Sequence, residues 1–468
     1  MRHLNKGVGV DLFYHLNSRV LQPLWMKYKG IDYRSILKDV QNFHKMSLDE
    51  IRDYQFSLVR NLIKHCYENV PYYRKEWGEI GFRPDDFKSL EDMKMIPVLT
   101  KTKIRTFYEE LFSRCSDSKE LITSGTGGTT DSPIIIKYDR EREKVKEAEM
   151  HYFREWWGWE LGVKVAGLWG APQDIPNIKS LKYKIRNYLV DRRLTLFSSV
   201  LNNDKMKNYI DSLNKFKPVI IQGYSNALFI LAKYIIEKKI QVYSPKSIIV
   251  TAEPCSEYQR KTIENAFNSE VFSFYGAREA GYIGVECERH KGFHLNCYGL
   301  YVEFITRDNQ LCNKNEIGRI VLTDLFNFDM PFVRYEIGDM GSPDVDSCDC
   351  GSPLPLMNFF AGRETDVFLT PSGSYVPGVS LCDRIITDCK GIEQLQFIQN
   401  EIAELHVKVV KGPKYSVGDI RVLDKRLYDY FKGELKITKE FVSEIPKSRS
   451  GKTLFCISNV SKNNLENA

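Results

Sequence analysis

The sequence predicts an α/β fold: a large N-terminal body of mixed and parallel sheets flanked by helices, then a small α+β C-terminal domain. Three observations carry this. Short apolar runs at 163–168, 219–222, 247–251, 271–275 and 320–322 alternate with helical stretches, the arrangement of βα units on a largely parallel sheet. Beyond residue 362 the character changes, with strand-like runs at 397–399, 405–410 and 441–442 around a helical stretch at 423–431; about 100 residues is the size of a separate domain. The length, 468 residues, suits about three structural units at roughly 150 residues each.

Taken in order, residues 12–28 interleave aromatic, aliphatic and basic side chains. They read first as a helix packed on its own domain, with contact to the inner face of a membrane as the alternative. From Ser47 to about Trp77, the residues Ile51, Tyr54, Leu58, Leu62, Ile63 and Cys66 follow the i, i+3, i+4 stripe of a helix. Asp49 and Glu50 occupy its first turn, where negative charge suits the dipole. Val70-Pro71-Tyr72-Tyr73 closes that stretch, and Ser89-Leu90-Glu91-Asp92 opens another short helix with an acidic start. The chain thus divides into an N-terminal helical adapter region of the large domain (1–119), an α/β core (120–362) and the small C-terminal domain (363–468). Trp156, Trp157, Trp159, Trp169, Phe197 and Tyr224 read as core aromatics first and as pocket walls second.

Composition excludes several classes. Lys and Arg total 67 against 61 Asp and Glu, a formal charge of +6, too small an excess for a nucleic-acid machine. Apolar residues make up 43% and charged residues 27%, which fits neither a disordered nor a membrane chain. No run approaches the roughly 20 apolar residues of a transmembrane helix. Arg2, Lys6, Asp11, His15 and Arg19 interrupt the apolar stretch of an export signal. The eleven cysteines are therefore expected as reduced thiols in the cytoplasm.

Four segments carry chemistry. Thr123-Ser124-Gly125-Thr126-Gly127-Gly128-Thr129-Thr130 lies between short apolar runs; such a loop turns successive amides inward as an anion nest, and hydroxyls add donors without bulk. It is neither a Walker loop nor a Rossmann fingerprint. Phe274-Tyr275-Gly276-Ala277-Arg278-Glu279 offers a carboxylate that can hold Mg²⁺ and an Arg fork beyond a strand, with an ordinary surface Arg–Glu pair as the alternative. Thr323-Asp324-Leu325 precedes Met330-Pro331-Phe332-Val333-Arg334-Tyr335-Glu336-Ile337-Gly338-Asp339, in which Asp339 suits a ribose diol. Ile445-Pro446-Lys447-Ser448-Arg449-Ser450-Gly451-Lys452 offers a lysine beyond a Ser-Gly turn.

A fifth constellation is Cys287, His290, His294 and Cys297, followed by Cys348-Asp349-Cys350-Gly351. Thiolate and imidazole in two short clusters suit tetrahedral Zn²⁺. Cys287, His294, Cys348 and Cys350 are the expected ligands, with His290 and Cys297 in reserve. The alternative is free buried thiols beside a surface histidine.

In order and spacing the four segments resemble the adenylate-forming enzymes, specifically the phenylacetate-CoA ligase family with its capsule-biosynthesis relatives labelled CapK. The resemblance also takes in Tyr54-Gln55, Val70-Pro71-Tyr72-Tyr73, Ile96-Pro97-Val98-Leu99-Thr100-Lys101, Gln222-Gly223-Tyr224, Thr251-Ala252-Glu253-Pro254 and Gly362-Arg363. It implies a ligase that uses ATP and Mg²⁺ to turn a small carboxylic acid into an acyl-adenylate and then transfers the acyl group to coenzyme A. By the same resemblance, Ser124, Gly125, Thr126, Gly127, Gly128 and Thr129 hold phosphates, Glu279 holds magnesium, and Ala252, Glu253, Tyr275 and Gly276 hold adenine. Asp339 and Arg363 hold the ribose, Lys452 bridges the acid and the α-phosphate, and Arg278 joins Lys452 and Glu279 as a catalytic residue. Arg278 and Arg334 are further cations expected around the nucleotide. The resemblance implies a mobile C-terminal lid that hinges at Thr365 or Asp366 and carries the catalytic lysine, and a structural zinc. The loop departs from the family's usual Ser-Gly-Thr-Thr-Gly-Lys-Pro in having no lysine, and Arg278 replaces the usual Thr or Ser. Two alternatives accompany this: transfer of an acyl or aminoacyl group to a sugar-linked acceptor in surface polysaccharide biosynthesis, and a catalytically silent nucleotide-binding scaffold. No nucleic-acid partner is expected, and a homodimer is left open.

Overall fold

The computed structural model describes residues 11–116, 121–125, 134–169, 180–197, 203–252, 254–344, 348–361, 367–372, 375–377, 389, 391–412, 414–446 and 455–460. Strands β1 (Ile122–Gly125) and β2 (Ile135–Tyr138) form a hairpin. An 11-stranded sheet makes the body. Its strands are β3 (Val165–Trp169), β4 (Arg193–Phe197), β5 (Ile220–Tyr224), β6 (Ser247–Thr251), β7 (Glu270–Ala277), β8 (Gly281–Glu286), β9 (Phe293–Leu295), β10 (Leu300–Ile305), β11 (Gly318–Asp324), β12 (Tyr335–Asp344) and β13 (Leu356–Ala361). They run in the order β10-β11-β12-β13-β9-β8-β7-β6-β5-β3-β4. From β7 to β4 the pairing is parallel and from β10 to β7 antiparallel. Every residue of β6 is buried, which is why a parallel strand covered on both faces reads as one continuous apolar run.

The helical adapter differs from its sequence reading in one respect. The stretch from Ser47 to Trp77 forms two helices, Leu48–Asn69 and Pro71–Glu79. Pro71 has no amide hydrogen to continue the first helix but is well suited to begin the second. Ser47 and Glu50 cap the first helix reciprocally, and Ser89 opens a short 3₁₀ turn, Leu90–Met95. Trp157 is buried with the main core, as its aromatic character suggests. The C-terminal unit has its own core of Phe397, Leu405, Leu427 and Phe431. There β16 (Ile392–Gln399), β17 (Glu404–Lys411), β18 (Lys436–Val442) and β19 (Cys456–Ser458) form a sheet beside the helix Val417–Phe431, with a small hairpin of β14 (Val367–Leu369) and β15 (Tyr375–Pro377).

The adapter grips the chain just before β12. Tyr73 Oη donates to the Pro331 carbonyl at 2.9 Å and accepts from the Val333 amide at 3.0 Å. The Leu99 amide donates to the Arg334 carbonyl, and the Glu336 amide to the Leu99 carbonyl. Arg334 itself corrects an expectation, for it is not at a nucleotide: its side chain is 1% exposed, pairs with Glu303 at 3.0 Å and donates to the Ile96 carbonyl at 2.6 Å. A cation beside a Gly-Asp turn was legible in sequence, but its carboxylate partner thirty-one residues upstream was not.

Breaking such a pair strands a buried charge. Glu303→Gln should therefore cost about 3–5 kcal/mol in urea unfolding, whereas Glu303→Leu combined with Arg334→Met should recover most of that loss.

Candidate active site and a cysteine–histidine cluster

The carboxyl ends of the parallel strands form one row: Trp169 ends β3, Phe197 ends β4, Tyr224 ends β5 and Thr251 ends β6. The Trp169 and Tyr224 rings lie 5.0 Å apart. Ligands of open α/β sheets bind off such ends, where the strand order reverses. In the parallel half that reversal falls at β3, which has β4 on one side and β5 on the other. Inside β7 the pairing changes sense, residues 270–273 running parallel to β6 and 274–277 antiparallel to β8, and Tyr275 and Gly276 sit just past that change. A Cβ on Gly276 would lie 2.6 Å from the Gly281 carbonyl oxygen, so only glycine fits there. Ala252, next after β6, has a φ of 69°, a left-handed conformation rare outside glycine. Thr251 Oγ1 donates to the Phe274 carbonyl at 3.4 Å and ties that turn to β7.

Two tyrosines hold two carboxylates. Tyr275 Oη donates to Asp339 Oδ2 at 2.6 Å, and Tyr335 Oη donates to Glu279 Oε1 at 3.2 Å. Burial, reinforced by Asp339 beside Tyr275 and by Glu279 beside Tyr335, pushes both phenols well above their ordinary pKa. Both therefore remain donors. On a flat sheet β7 and β12, with three strands between them, would stand about 19 Å apart at roughly 4.8 Å per strand. The Tyr275–Asp339 bond accordingly requires the antiparallel half of the sheet to curl.

Arg278 reaches from the turn after β7 to the Gly125 carbonyl at 3.4 Å. That contact joins Arg278 to Ser124 and Gly125, which end β1. Thr126, Gly127, Gly128, Thr129, Glu253, Arg363, Lys452 and the expected hinge at Thr365 and Asp366 lie outside the described residues. Tyr335, Arg142 and Lys146 had no role assigned from sequence. Lys146 donates to the Arg278 carbonyl at 3.3 Å, and burial lowers its pKa. Arg142 binds Asp324 at 2.7 Å and the Ala280 carbonyl at 3.2 Å, bracing the residue after Glu279 from behind. Their only sequence signal was their place on the helix Arg140–Trp156 that follows the glycine-rich loop.

Cys287, His294, Cys348 and Cys350 come together with their ligand atoms all within 4.8 Å of one another. Cys287 Sγ lies 3.6 Å from Cys348 Sγ, and His294 Nε2 lies 3.4 Å from Cys350 Sγ. A tetrahedron with metal–sulfur bonds of about 2.3 Å has edges near roughly 3.7 Å. The surroundings fit a metal as well. The amides of Arg289 and Ser352 each donate to a sulfur at 3.4 Å, while His294 Nδ1 faces the Leu354 carbonyl at 3.2 Å, which leaves Nε2 as the ligand atom. His290 instead lies between Glu286 and Glu270, and Cys297 packs in the main core.

Comparison with known proteins follows this geometry. Residues 368–459 match the family model described as the CapK C-terminal domain. The chain is 26% identical to Protein CapK of Staphylococcus aureus over 96% of this chain and 100% of that one. It is 23% identical to the phenylacetate-coenzyme A ligase of Thermus thermophilus over 69% of this chain and 72% of that one. A 2-hydroxyisobutyryl-CoA ligase solved in the postadenylation state, in complex with R3-HIB-AMP, superposes with a TM-score of 0.71 at 18% identity, covering 91% of this chain and 93% of that one; the likeness is one of fold. Fold and homology together indicate an adenylate-forming ligase. The chain is homologous to CapK and to the phenylacetate-CoA ligases.

The buried group behind the site gives a pH test. Glu149 is buried 3.6 Å from Arg142, and burial, only partly offset by that cation, pushes its pKa up to about 7. Its folded pKa exceeds its unfolded one, so this contribution is full below the unfolded value of 4.5 and is lost as pH rises toward 7. Glu149→Gln should flatten the fall in unfolding free energy across that window.

Proposed function

We propose that the protein activates a carboxylic acid with ATP and transfers the acyl group to coenzyme A. The observation that carries the proposal is the pair of carboxylates, Asp339 and Glu279, each held by a buried tyrosine beside the change from parallel to antiparallel pairing in β7. In the first step an oxygen of the acid's carboxylate attacks the α-phosphorus, and the bond to pyrophosphate breaks. In the second the thiolate of coenzyme A attacks the acyl carbonyl, and AMP leaves. Asp339 accepts from the ribose hydroxyls, and Arg363 donates to them. Tyr275, Gly276, Ala252 and Glu253 bound the adenine, and the stretch containing Ser124, Gly125, Thr126, Gly127, Gly128 and Thr129 receives the phosphates. Arg278, fixed against Gly125, lies at the mouth of that stretch. Glu279 would hold Mg²⁺, which when bound offsets the negative charge of the phosphate oxygens. Lys452 approaches the α-phosphate and the acid together on the C-terminal lid, so that preorganised positive charge meets the charge developing in the transition state.

The resemblance to the capsule-biosynthesis relatives labelled CapK supports a second reading, in which the acceptor is a sugar-linked amine or hydroxyl. Pyrophosphate release screened across aryl, fatty, amino and hydroxy acids, with the product weighed by mass spectrometry with and without coenzyme A, separates the two. A thioester mass supports the first reading. A product that forms only with a sugar acceptor overturns it in favour of the second, and no pyrophosphate from any acid overturns both.

Glu279→Gln should lower pyrophosphate release about 100-fold or more, the scale of losing one preorganised electrostatic contact. Lys452→Ala should abolish adenylation yet spare transfer from a supplied acyl-adenylate; equal loss of both steps would refute its role.

Cys287, His294, Cys348 and Cys350 would hold a structural Zn²⁺, a closed set of four protein ligands that cross-links the loops carrying them. Metal analysis of the purified chain should give one zinc per molecule, lost in Cys350→Ser together with a fall in melting temperature. Complete removal of zinc with no change in melting temperature would exclude the structural role.

A further inference from the structure

The +6 formal charge is not evenly spread. Residues 12–29 carry Arg19, Lys27 and Lys29 and no acid, and residues 181–192 carry Lys182, Lys184, Arg186 and Arg192 against Asp191 alone. These two short stretches together hold a net +6, the whole excess of the chain.

The structure packs the two stretches against each other. Asn17, fully buried, donates through Nδ2 to the Leu189 and Val190 carbonyls at 2.5 and 3.2 Å, and Gln22 Nε2 donates to the Val190 carbonyl at 2.9 Å. The Phe13 and Tyr188 rings stack at 5.7 Å, and Arg192 binds Asp11. Met26 also turns inward. The helix is thus docked on its own domain, as its sequence suggests, but through polar groups and few apolar ones.

Its long apolar side chains point outward. Leu16, Val20, Leu24 and Tyr28 are all exposed, Leu24 by 61% and Tyr28 by 78%. On the abutting stretch Leu181, Ile185, Tyr188 and Leu189 are exposed too, Leu181 by 72% and Tyr188 by 74%. Each stretch contains one wide π turn, Asn17–Leu21 and Asn187–Asp191. Residues four apart overshoot a full α-helical turn but fall short of one in a π turn, so the wide turn keeps Leu16, Val20, Leu24 and Tyr28 nearer to one line than an unbroken α-helix would. Scattered exposed leucines need no partner, but a cluster of eight apolar side chains on two adjoining helices does.

The chemistry around the ridge selects the partner. Lys29 Nζ lies 5.2 Å from the Trp25 ring centre and 5.9 Å from that of Tyr28, and aromatic rings beside basic residues are the composition of a headgroup boundary. Lysine stems can lie along apolar surface while their charges reach phosphate. A second copy docked on the same face by two-fold symmetry would set the exposed cations Arg19, Lys27, Lys29 and Lys184 against those of its partner. Among the described residues no helix is long and apolar enough to cross a membrane. We propose that this face binds the surface of an anionic lipid bilayer, with the two helices lying in the headgroup plane and their exposed apolar side chains entering the acyl boundary.

The test is flotation of the full chain with vesicles of phosphatidylcholine alone, or of phosphatidylcholine and phosphatidylglycerol in equal parts. The protein should float with the mixed vesicles, sink from the zwitterionic ones, and release as salt rises. Leu24→Glu combined with Tyr28→Glu should weaken binding by on the order of tenfold, with melting temperature and pyrophosphate release unchanged. Lys27→Gln combined with Lys29→Gln should cause a loss of similar order, on the order of tenfold. Absence of binding to mixed vesicles, equal binding to both kinds, or undiminished binding by the Leu24 and Tyr28 variant would overturn the proposal. A concentration-dependent dimer broken by those same two substitutions, without vesicle binding, would overturn it as well and assign the face to a second copy.

Discussion

The start of β12 is the constraint on which the rest of the site depends. Arg334 is the residue immediately before this strand, and its buried guanidinium meets Glu303 on β10 and the Ile96 carbonyl of the adapter at once. Taking both charges out of water costs several kcal/mol each, and the pair recovers this only when it is well aligned and fully hydrogen-bonded. A slip of β12 by one residue would turn the guanidinium to the other face of the strand and leave Glu303 alone. The registered strand then presents Tyr335 to Glu279 and Asp339 to Tyr275. A buried pair that takes no part in either bond thus sets the two tyrosine–carboxylate bonds of the site.

The same logic explains the helical adapter. Gln55 donates to the Cys297 and Leu300 carbonyls at 3.0 and 2.8 Å, while Tyr73 and Leu99 hold the chain from Pro331 to Glu336. Tyr54-Gln55, Val70-Pro71-Tyr72-Tyr73 and the stretch from Ile96 to Lys101 therefore brace two segments of the body from outside. Their chemistry is positional. Each satisfies buried backbone groups near the antiparallel half of the sheet, where an unpaired carbonyl or amide would be costly.

What was legible in the sequence follows from how local each signal is. Of the parallel strands, β3, β5, β6 and β7 were found within a few residues of their ends because burial on both faces leaves an uninterrupted apolar run, as in β6, whereas the edge strand β4, which begins with an exposed arginine, gave no such run. Cys287, His294, Cys348 and Cys350 were found because their chemistry is rare and their spacing short within each cluster. The roles of Tyr335 and Arg142 were not, because their partners lie 56 and 182 residues away and neither residue type is unusual. Arg334 was misplaced for the same reason: a charge written in a polar-looking segment says nothing of a partner across a sheet. The ridge at Leu16, Leu24 and Tyr28 shows the opposite limit. The interleaving of apolar and basic residues there suggested a helix but not which way its apolar side chains faced.

The cysteine–histidine cluster gains its meaning from strand order. Between β12, which carries Asp339, and β7, which carries Tyr275, the sheet runs β13, β9 and β8. Cys287 directly follows β8, His294 lies on β9, and Cys348 and Cys350 precede β13. The cluster therefore gathers the ends of all three strands that separate the two halves of the site. Because a 2.6 Å bond between Tyr275 and Asp339 forms only if those strands curl, a cross-link at their ends limits how far the curl can open. A metal there, with all four positions filled by the protein, would act on the site through curvature. Its removal should accordingly loosen the Tyr275–Asp339 bond before it alters the environment of Gly125 and Arg278, which meet at the turn after β7.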